Sequence, residues 1–390
     1  MSAAAKATPA SAPGVPRASR AFDCEGLTTF VERLLRAAGT DADVAVEVAR
    51  HLVRSDMSGY GSHGVLRLPQ YFAQIARGEL LPSARPRLVR DGGATLLVDG
   101  CRGFGHFSMS HAVSLVTVRA RAHGVACAAV RRSTHVGRLG EYAERCQADG
   151  LVLLVSVGMA GPGVGGVAPF GGRERFMGAN VWAIGVPGRQ QPLVFDASMA
   201  SVAVGRVHLA RAAGTRVPDG CLIDAAGEAS TDPEAYYSGG AVLPMGGAHA
   251  GHKAYGLALA SALLGALCMI GDRDPTLAGA PVAEGAPAKG RAAGAIVVAI
   301  DPDAFGGIDE YRALVSDCLD AARAVAPLPG VEGVAVPGDH SRAHRARAAR
   351  EGVRLPAGVC DALAALGDRF GVPMPVERGA RTGLADEARS

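Results

Sequence analysis

The sequence predicts a mixed α/β fold. Short continuous apolar runs, such as residues 151–157, are typical of buried strands, and amphipathic stretches, such as residues 308–325, are typical of helices. The two kinds of segment do not alternate strictly, which argues against a series of β-α-β units. With 390 residues, 48% of them hydrophobic, the chain is long enough for two domains or for one large domain with a substantial core.

Hydrophobic periodicity predicts a series of strands and helices between two irregular chain ends. Residues 1–20 contain no acid and no apolar core, so we expect a disordered leader rather than a secretory signal, and residues 373–390 are expected to form a similar tail. Strands are predicted at 94–99, 125–130, 151–157, 181–186, 193–196, 295–300 and 334–336. Helices are predicted at 27–38, 41–56, 106–123, 137–149, 200–212, 253–270, 308–325, 342–351 and 358–370, with a loop at 272–291.

Composition argues against several classes of protein. The formal net charge of +3 and the aromatic content of 5% provide no basic stripe and no stacking platform, so we expect no nucleic-acid partner. No apolar run reaches the roughly 18 residues that a membrane span needs, and we interpret the most apolar stretch, residues 254–270, as a buried helix. The eight scattered cysteines contain no C-x-x-C pair, which predicts no metal site and a reducing, cytoplasmic location.

The most informative segment is Ser-His-Gly-Val-Leu-Arg-Leu-Pro-Gln-Tyr at residues 62–71. If it is helical, His63 and Arg67 project from one face and Tyr71 continues that stripe, although Pro69 interrupts the helix and can divert it. A proton donor beside a fixed cation suits the reduction of a small 2-oxo acid, because the cation holds the carboxylate and the imidazole serves the neighbouring carbonyl. The alternative is a helix end with a solvated histidine and arginine.

A match to the dinucleotide fingerprint G-x-G-x-x-G follows the strand predicted at 151–157. We reject residues 161–166 as a Rossmann site, because Pro169, Gly171 and Gly172 follow and no helix can begin there to meet a pyrophosphate. The segment is interpreted as a flexible loop whose backbone N–H groups can still cover a ligand.

Three further segments are candidates, each with an ordinary alternative. His135 follows a predicted strand in Ser-Thr-His-Val-Gly, where donors can meet a phosphate, but a lone histidine is more often structural. Asp196 closes a strand and either orients His63 or caps the next helix. Lys253, one of only three lysines in the chain, ends a glycine-rich segment that either suits an anionic ligand or simply begins a helix.

Short motifs run in a fixed order through most of the chain. They are Asp56, Ser62-His63-Gly64-Val65, Arg67-Leu-Pro-x-Tyr71, Ser133-x-His135-x-Gly137, Pro169-x-Gly171-Gly172, Gly178-x-Asn180, Ile184-Gly185-Val186-Pro187, residues 196–205, Gly214, Pro218-x-Gly220, Asp232-Pro233, Gly246-Gly247, His252-Lys253-x-Tyr255-Gly256 and Pro337-Gly338-Asp339. In this order, over about residues 27–356, the chain resembles the second type of malate/L-lactate dehydrogenase. That family includes sulfolactate, ureidoglycolate and diketogulonate dehydrogenases or reductases and the Δ1-piperideine-2-carboxylate reductases.

The resemblance implies a non-Rossmann NAD(P)-binding fold and a homodimer. A central mixed β-sheet domain with helices is expected beside a helical domain built from the N- and C-terminal segments. The expected organisation is a leader at 1–20, an N-terminal helical and substrate segment at 21–130, a central cofactor-binding domain at 131–300, a C-terminal segment packing on the N-terminal one at 301–372, and a tail at 373–390.

The resemblance also implies the function and the role of each matched residue. The chain would be an oxidoreductase that uses NAD or NADP to transfer a hydride between nicotinamide and a malate- or lactate-like 2-oxo acid/2-hydroxy acid pair. His63 would donate the proton, with Ser62 and Asp196 as relay partners. Arg67 would clamp the substrate carboxylate, and Tyr71 would contact the substrate. Cofactor contacts are expected at His135, Asn180, Asp196, Ser198, Ala200, Lys253 and Gly352, and no metal is expected.

Departures from the family pattern leave the substrate open. Many members carry Asp-x-Ala-Thr-Ser where this chain has Asp196-Ala-Ser-Met-Ala, which loses hydroxyls beside the expected cofactor. The segment 159–166 replaces a more polar loop and favours a substrate that is bulkier or less polar than malate. The alternative function is an NADPH-dependent reductase of a cyclic imino acid of the Δ1-piperideine- or Δ1-pyrroline-2-carboxylate type. A further alternative is a protein that binds ligands without catalysing a reaction, and only the changed sequence at residues 197–200 supports it.

Overall fold

The computed structural model describes residues 19–271 and 291–378, and it confirms the predicted mixed α/β class. The strands are β1 (Arg20–Phe22), β2 (Arg87–Asp91), β3 (Thr95–Asp99), β4 (Val125–Arg131), β5 (Val152–Ala160), β6 (Val181–Val186), β7 (Leu193–Ala197), β8 (Leu222–Ile223), β9 (Ala229–Ser230), β10 (Ala241–Val242), β11 (Ala292–Ile300) and β12 (Val353–Leu355). The α-helices are α1 (Cys24–Ala37), α2 (Ala42–Met57), α3 (Leu68–Ala76), α4 (Gly105–His123), α5 (Gly140–Ala143), α6 (Cys146–Asp149), α7 (Val204–Ala213), α8 (Pro233–Tyr237), α9 (Gly247–Gly265), α10 (Ile308–Arg323), α11 (Asp339–Glu351) and α12 (Ala357–Phe370).

A seven-stranded mixed sheet, in the order β2-β3-β4-β11-β5-β6-β7, is the central layer. Only β3 and β4 run parallel, and every other neighbouring pair in this sheet is antiparallel. β11 lies in the middle, where Ala295 pairs with Val130 on one side and with Val157 on the other. The sheet therefore lacks the parallel strands on which a Rossmann site depends.

Alternating side chains on the middle strands separate two packed layers. Leu153 and Val155 of β5 belong to the apolar cluster that includes α4. Ser156 points the other way, and its hydroxyl hydrogen-bonds to that of Ser261 in α9 at 2.7 Å. At Gly158 a Cβ would lie 2.4 Å from the backbone nitrogen of Ala262, so the glycine is what lets α9 pack directly on the sheet.

The apolar helix α9 is buried on one face only. Ala254 and Ala262 pack into the core, whereas Leu257 and Leu263 are 50% and 57% exposed. Within the part of the chain that the structure describes, Gly247–Met269 is the one helical segment long and apolar enough, by length and composition, to cross a membrane. The core helix of a soluble protein meets the same criterion, so the segment is weak evidence for a membrane span. The prediction of a buried helix at 253–270 is correct for one face and wrong for the other.

The two ends of the described chain share one core. β1 pairs antiparallel with β12, with Phe22 opposite Val353. Side chains of α1, α2, α3 and α12 form a single apolar cluster with these strands. Residues 373–378, which the sequence analysis assigns to the tail, continue the contact, because the N–H of Arg378 donates to the carbonyl of Ala21 at 2.8 Å.

Three local predictions are wrong. The helix predicted at 137–149 is two short helices, α5 and α6, since Gly137 has a φ of +73° and delays the start to Gly140. Residues 334–336 form no strand, and the helix predicted from residue 200 begins at Val204. The loop predicted at 272–291 lies almost entirely outside the described residues, as do most of the leader and the end of the tail.

Candidate active site

The loop that carries Ser62, His63 and Arg67 is not one helix. It consists of two 3-10 turns, Gly61–His63 and Val65–Arg67, followed by α3. Pro69 lies in the first turn of α3, where its missing N–H would have no helical partner in any case. The prediction that His63 and Arg67 form an i,i+4 pair on one helix is therefore wrong, although both side chains still reach the same site.

A buried carboxylate anchors this loop. Asp56, at the end of α2, accepts a hydrogen bond from the backbone N–H of Val65 at 2.8 Å. The backbone of Gly64 packs so closely on the same carboxylate that a Cβ there would lie 2.1 Å from Oδ1. Burial raises the pKa of Asp56 to about 7, opposed by the hydrogen bond from Val65. Sequence reasoning noted Asp56 only as part of a motif and assigned it no role.

His63 lies half-buried with one nitrogen engaged and the other free. The hydroxyl of Ser62 is 2.9 Å from Nδ1, as the predicted relay requires. Nε2 has no hydrogen-bond partner among the residues that the structure describes. Burial lowers the pKa of His63 to about 4, and the charges of Arg67 and Arg138 act in the same direction. The ring is therefore neutral near pH 7 and can exchange a proton at Nε2.

Arg67 presents a cation to the same site. Its Nε donates to the carbonyl of Ser62 at 2.7 Å and one Nη donates to the side-chain oxygen of Gln70 at 2.9 Å. No carboxylate within residues 19–271 and 291–378 pairs with it. Burial lowers the pKa of His106 and His135, and the charge of Arg67 acts in the same direction on both rings. A half-buried guanidinium of this kind suits an anionic ligand.

Tyr71 is 0% exposed, and its hydroxyl lies 2.7 Å from Nδ1 of His135 and 3.4 Å from Nε2 of His106. In this structure the side chain therefore contacts two histidines in the interior, and the predicted contact with a substrate stays a prediction. His135 itself reaches the site, since its ring stacks on that of His63 with centroids 5.5 Å apart.

Asp196 is buried near the site but does not touch His63. Its Oδ2 accepts from the N–H of Gly140 at 2.8 Å and lies 4.0 Å from a guanidinium nitrogen of Arg138. Burial raises the pKa of Asp196, while Arg138 and the Gly140 N–H oppose the rise. The predicted direct relay between Asp196 and His63 is thus not found in this structure. Arg138, which sequence reasoning missed, pairs with Asp196 and acts electrostatically on His63. Its position one residue after the Ser133-x-His135-x-Gly137 motif was the available signal.

The other predicted cofactor residues fall into two groups. Asn180 is 3% exposed, and its amide is engaged by the N–H of Met159 and the carbonyl of Ala258. Gly352 ends α11, where a Cβ would lie 2.6 Å from the carbonyl of Phe22, so close backbone packing accounts for this glycine. Both residues support the fold at these positions.

The exposure of Ser198, Ala200 and Lys253 differs, since Lys253 is exposed, Ser198 is half-buried and Ala200 is buried at 8%. The hydroxyl of Ser198 accepts from the N–H of Ala200 at 3.0 Å. Lys253 is exposed on α9 and makes no ion pair with any residue that the structure describes. In the described ranges, no group of three or more His, Cys, Asp or Glu side chains could hold a metal ion.

A neutral histidine beside an arginine that no described carboxylate balances, on a mixed α/β fold, is a candidate site for an enzyme that acts on a small anion. The chain belongs to the malate/L-lactate dehydrogenase family, whose sequence profile matches residues 22–364, and it is accordingly an oxidoreductase. The resemblance predicted from the motifs is confirmed.

Individual relatives agree with this assignment. The chain is 32% identical over 320 residues to an L-lactate dehydrogenase of Cupriavidus necator, covering 81% of this chain and 88% of the relative. It is 31% identical over 328 residues to a Δ1-pyrroline-2-carboxylate/Δ1-piperideine-2-carboxylate reductase of Pseudomonas syringae pv. tomato, covering 84% and 90%. The crystal structure of a dehydrogenase from Sinorhizobium meliloti superposes with a TM-score of 0.76 at 33% identity, covering 90% of this chain and 98% of that one.

Proposed function

We propose that the protein transfers a hydride between a nicotinamide cofactor and a 2-oxo acid/2-hydroxy acid pair. The observation that carries the proposal is the meeting of His63, whose Nε2 is free, with Arg67, whose charge no described carboxylate balances. The guanidinium binds the substrate carboxylate and fixes its orientation. The imidazole then exchanges a proton with the neighbouring oxygen.

The direction of proton flow follows from the state of His63. With its pKa lowered to about 4, the ring is neutral and accepts the hydroxyl proton of a 2-hydroxy acid at Nε2. A bound carboxylate offsets the charge of Arg67, which raises the pKa of the protonated ring and lets it return that proton in the reverse direction. Ser62, at 2.9 Å from Nδ1, steadies the ring throughout.

NAD or NADP is proposed as the cofactor, bound outside any Rossmann motif. When bound, the nicotinamide would accept or supply the hydride. The residues present fit such a group, because Lys253 is an exposed cation on α9 with no ion-pair partner among the described residues, and the N-terminus of α9, at Gly247, suits a phosphate. His135, Ser198 and Ala200 are the further proposed contacts. Asp196 is proposed to act through Arg138, as a positioning residue.

The second candidate is reduction of a cyclic imino acid, with the same cofactor and the same cation. The reductase of Pseudomonas syringae pv. tomato, at 31% identity over 84% of this chain, favours it. His63 would then exchange a proton with nitrogen or with a bound water. A carboxylate on the substrate is common to both candidates, so Arg67 does not distinguish them.

The test is oxidation of NADH and of NADPH, measured separately, against 2-oxo acids and cyclic imino acids. Turnover with 2-oxo acids supports the first candidate, and turnover with imino acids alone supports the second. Cofactor binding without turnover on either group contradicts both. Trp182, the single tryptophan, reports binding by fluorescence, and it lies on β6 opposite Ala197, one residue after Asp196.

We also propose a cytoplasmic homodimer. Exposed leucines occur at Leu257 and Leu263 of α9 and at Leu267 of the turn that follows, and a second copy of the chain would remove this apolar surface from water. All eight thiols are free, as a reducing compartment favours. Sedimentation of the protein, compared with a Leu263→Lys variant, tests the dimer, and a monomeric wild-type protein contradicts it.

A further inference from the structure

A row of aromatic side chains runs from His63 into the interior. His135 stacks on His63, Tyr71 contacts His135, and His106 contacts Tyr71. His51 follows, with its ring edge-to-face against that of His106 and the centroids 4.8 Å apart. These residues come from α2, α3, α4 and the loop after β4, so only the folded chain brings them together.

Backbone N–H groups fix where the protons lie on two rings of this row, His51 and His135. The N–H of Arg138 donates to Nε2 of His51 at 2.9 Å, so Nε2 of His51 is an acceptor and its proton is on Nδ1. The N–H of Gly137 donates to Nδ1 of His135 at 3.3 Å, so that nitrogen is an acceptor as well. Burial holds the pKa of both rings well below the usual value, and each ring therefore carries a single proton.

The middle of the row has one consistent arrangement. Because Nδ1 of His135 accepts, the hydroxyl of Tyr71 donates to it, and burial raises the pKa of this phenol so that the proton stays in place. The oxygen of Tyr71 is then free to accept from Nε2 of His106. That leaves Nδ1 of His106 as an acceptor, and neither this atom nor Nδ1 of His51 has a hydrogen-bond partner among the described residues.

We propose that Tyr71 and His106 are positioning residues that hold His135 in the tautomer with its proton on Nε2. The chain of donors runs from His106 through Tyr71 to Nδ1 of His135. His135 then presents a neutral N–H donor beside the ring of His63, where it meets the substrate oxygen that His63 protonates or deprotonates. This last step rests on the proposed function, whereas the tautomer itself does not.

The arrangement divides the chemistry between two stacked rings. His63, with Nε2 free, moves the proton. His135 moves none, and its fixed N–H stabilises negative charge on the oxygen while the hydride is transferred. A histidine with its proton on Nδ1 would turn a lone pair toward that oxygen and repel it. The tautomer, rather than the presence of the ring, is therefore the property on which the rate depends.

The direct test is long-range ¹H–¹⁵N spectroscopy of the full chain labelled at histidine, without substrate or cofactor. Variants at His106 and His135 assign the signals. The expected pattern has His135 and His106 protonated at Nε2 and His51 at Nδ1. A wild-type spectrum with His135 protonated at Nδ1 overturns the inference, whatever the enzyme's activity. The expected pattern in a protein inactive on every 2-oxo acid and imino acid would instead contradict the proposed function.

Variants connect the tautomer to catalysis. Tyr71→Phe keeps the ring in its buried position and removes the donor, so His135 loses its preference and kcat is expected to fall roughly a hundredfold, the typical effect of losing one such donor. The cofactor KM should change little. A rise in the cofactor KM at unchanged kcat would show that His135 serves only to bind cofactor.

Two substitutions of His106 separate the effect of its N–H donor from a merely structural effect of replacing the ring. Gln at this position keeps an N–H donor for Tyr71, whereas Leu removes it, and both fill the buried space. His106→Gln should retain the His135 tautomer and most of kcat, and His106→Leu should lose both. Equal loss in the two folded variants overturns the inference. His340→Gln, on the exposed side of α11, is the control, and if the Leu variant does not fold the decision rests on Tyr71→Phe.

Discussion

Two neighbouring buried regions differ in whether their titratable side chains are charged. The histidine cluster, defined as His51, His63, His106 and His135, holds rings whose pKa values are all lowered by burial. No carboxylate hydrogen-bonds to any of these rings among the residues that the structure describes. Burial without a counterion therefore removes the charge, and the rings remain neutral.

The ionic cluster keeps its charges instead. It consists of Arg54, Arg138, Glu141, Glu144 and Arg345. Burial acts to raise the pKa of Glu144, but Arg138 and Arg345 more than offset it and leave this pKa below its usual value. Arg138, at 2% exposure, borders both regions, since it pairs with Glu144 at 2.8 Å and also lowers the pKa of His63. The difference shows that partners, not depth, decide whether a buried group is charged.

The largest expected effect is the loss of the proton-exchanging ring. His63→Ala should lower kcat by roughly 10²- to 10⁴-fold, the contribution typical of a general acid or base. Cofactor affinity should stay within about threefold, because in the proposed site the ring serves the substrate oxygen. Steady-state kinetics and quenching of Trp182 fluorescence measure the two quantities. Normal turnover in this variant, or loss of cofactor binding, would show that the role proposed for His63 is wrong.

Removing one carboxylate from the ionic cluster should lower the free energy of unfolding rather than the catalytic rate. Glu144→Gln leaves Arg138 and Arg345 without their shared carboxylate, and removing one partner of a buried pair typically costs about 3 kcal/mol. Urea denaturation followed by circular dichroism measures the free energy of unfolding. Glu79→Gln is the matched control, because its pair with Arg77 is exposed and solvent-screened and should contribute little to stability. Equal losses in the two variants would remove the distinction between the ionic cluster and an ordinary surface pair.

Replacing Arg67 should raise KM for a charged substrate more than KM for an uncharged one. A charge-assisted hydrogen bond contributes about 1.5 to 3 kcal/mol, so Arg67→Met should raise KM for a 2-oxo acid by roughly 10- to 100-fold. KM for an uncharged ketone of similar size should change far less. The comparison needs both substrates on both proteins, and a parallel rise for the two would show that Arg67 shapes the site without binding a carboxylate.

The sequence predicted what is local and missed what depends on tertiary contact. β6 has the bounds that the sequence predicts, because apolar periodicity depends only on neighbouring residues. The motifs that carry His63, Arg67 and His135 could also be recognised from neighbouring residues, and the fold brings them together. The role of Tyr71 was not predictable in the same way. Two 3-10 turns precede α3 and turn this side chain inward, and its partners lie 35 and 64 residues away.

Asp196 and Arg138 illustrate the same limit at the site. A relay from Asp196 to His63 is a reasonable expectation from residue types, but the carboxylate is taken by the N–H of Gly140 and by Arg138. Such competition between partners appears only when the elements are packed. The signal at Arg138 was weak, since it consisted only of a position directly after a motif, and an arginine after a glycine is ordinary in a chain with so many arginines.

The smallest expected effect concerns Asp56, a buried carboxyl that, unlike Glu144, has no cationic partner among the residues that the structure describes. Its pKa is raised to about 7, so the folded state keeps a proton that the unfolded state has already lost above about pH 4. Stability from this group is therefore greatest at low pH and declines as pH rises through 7. Between pH 6 and 8 the wild type should lose about 1 kcal/mol relative to Asp56→Asn, which cannot ionise.

Thermal unfolding of both proteins across that range tests this expectation, with the histidine contributions cancelling in the difference. Asn keeps an oxygen that can accept from Val65, so the loop of His63 should stay anchored and kcat near pH 7 should change little. A difference in stability that does not change with pH would mean that a partner outside the described residues balances Asp56. This carboxyl would then belong with the ionic cluster rather than with the uncompensated groups around His63.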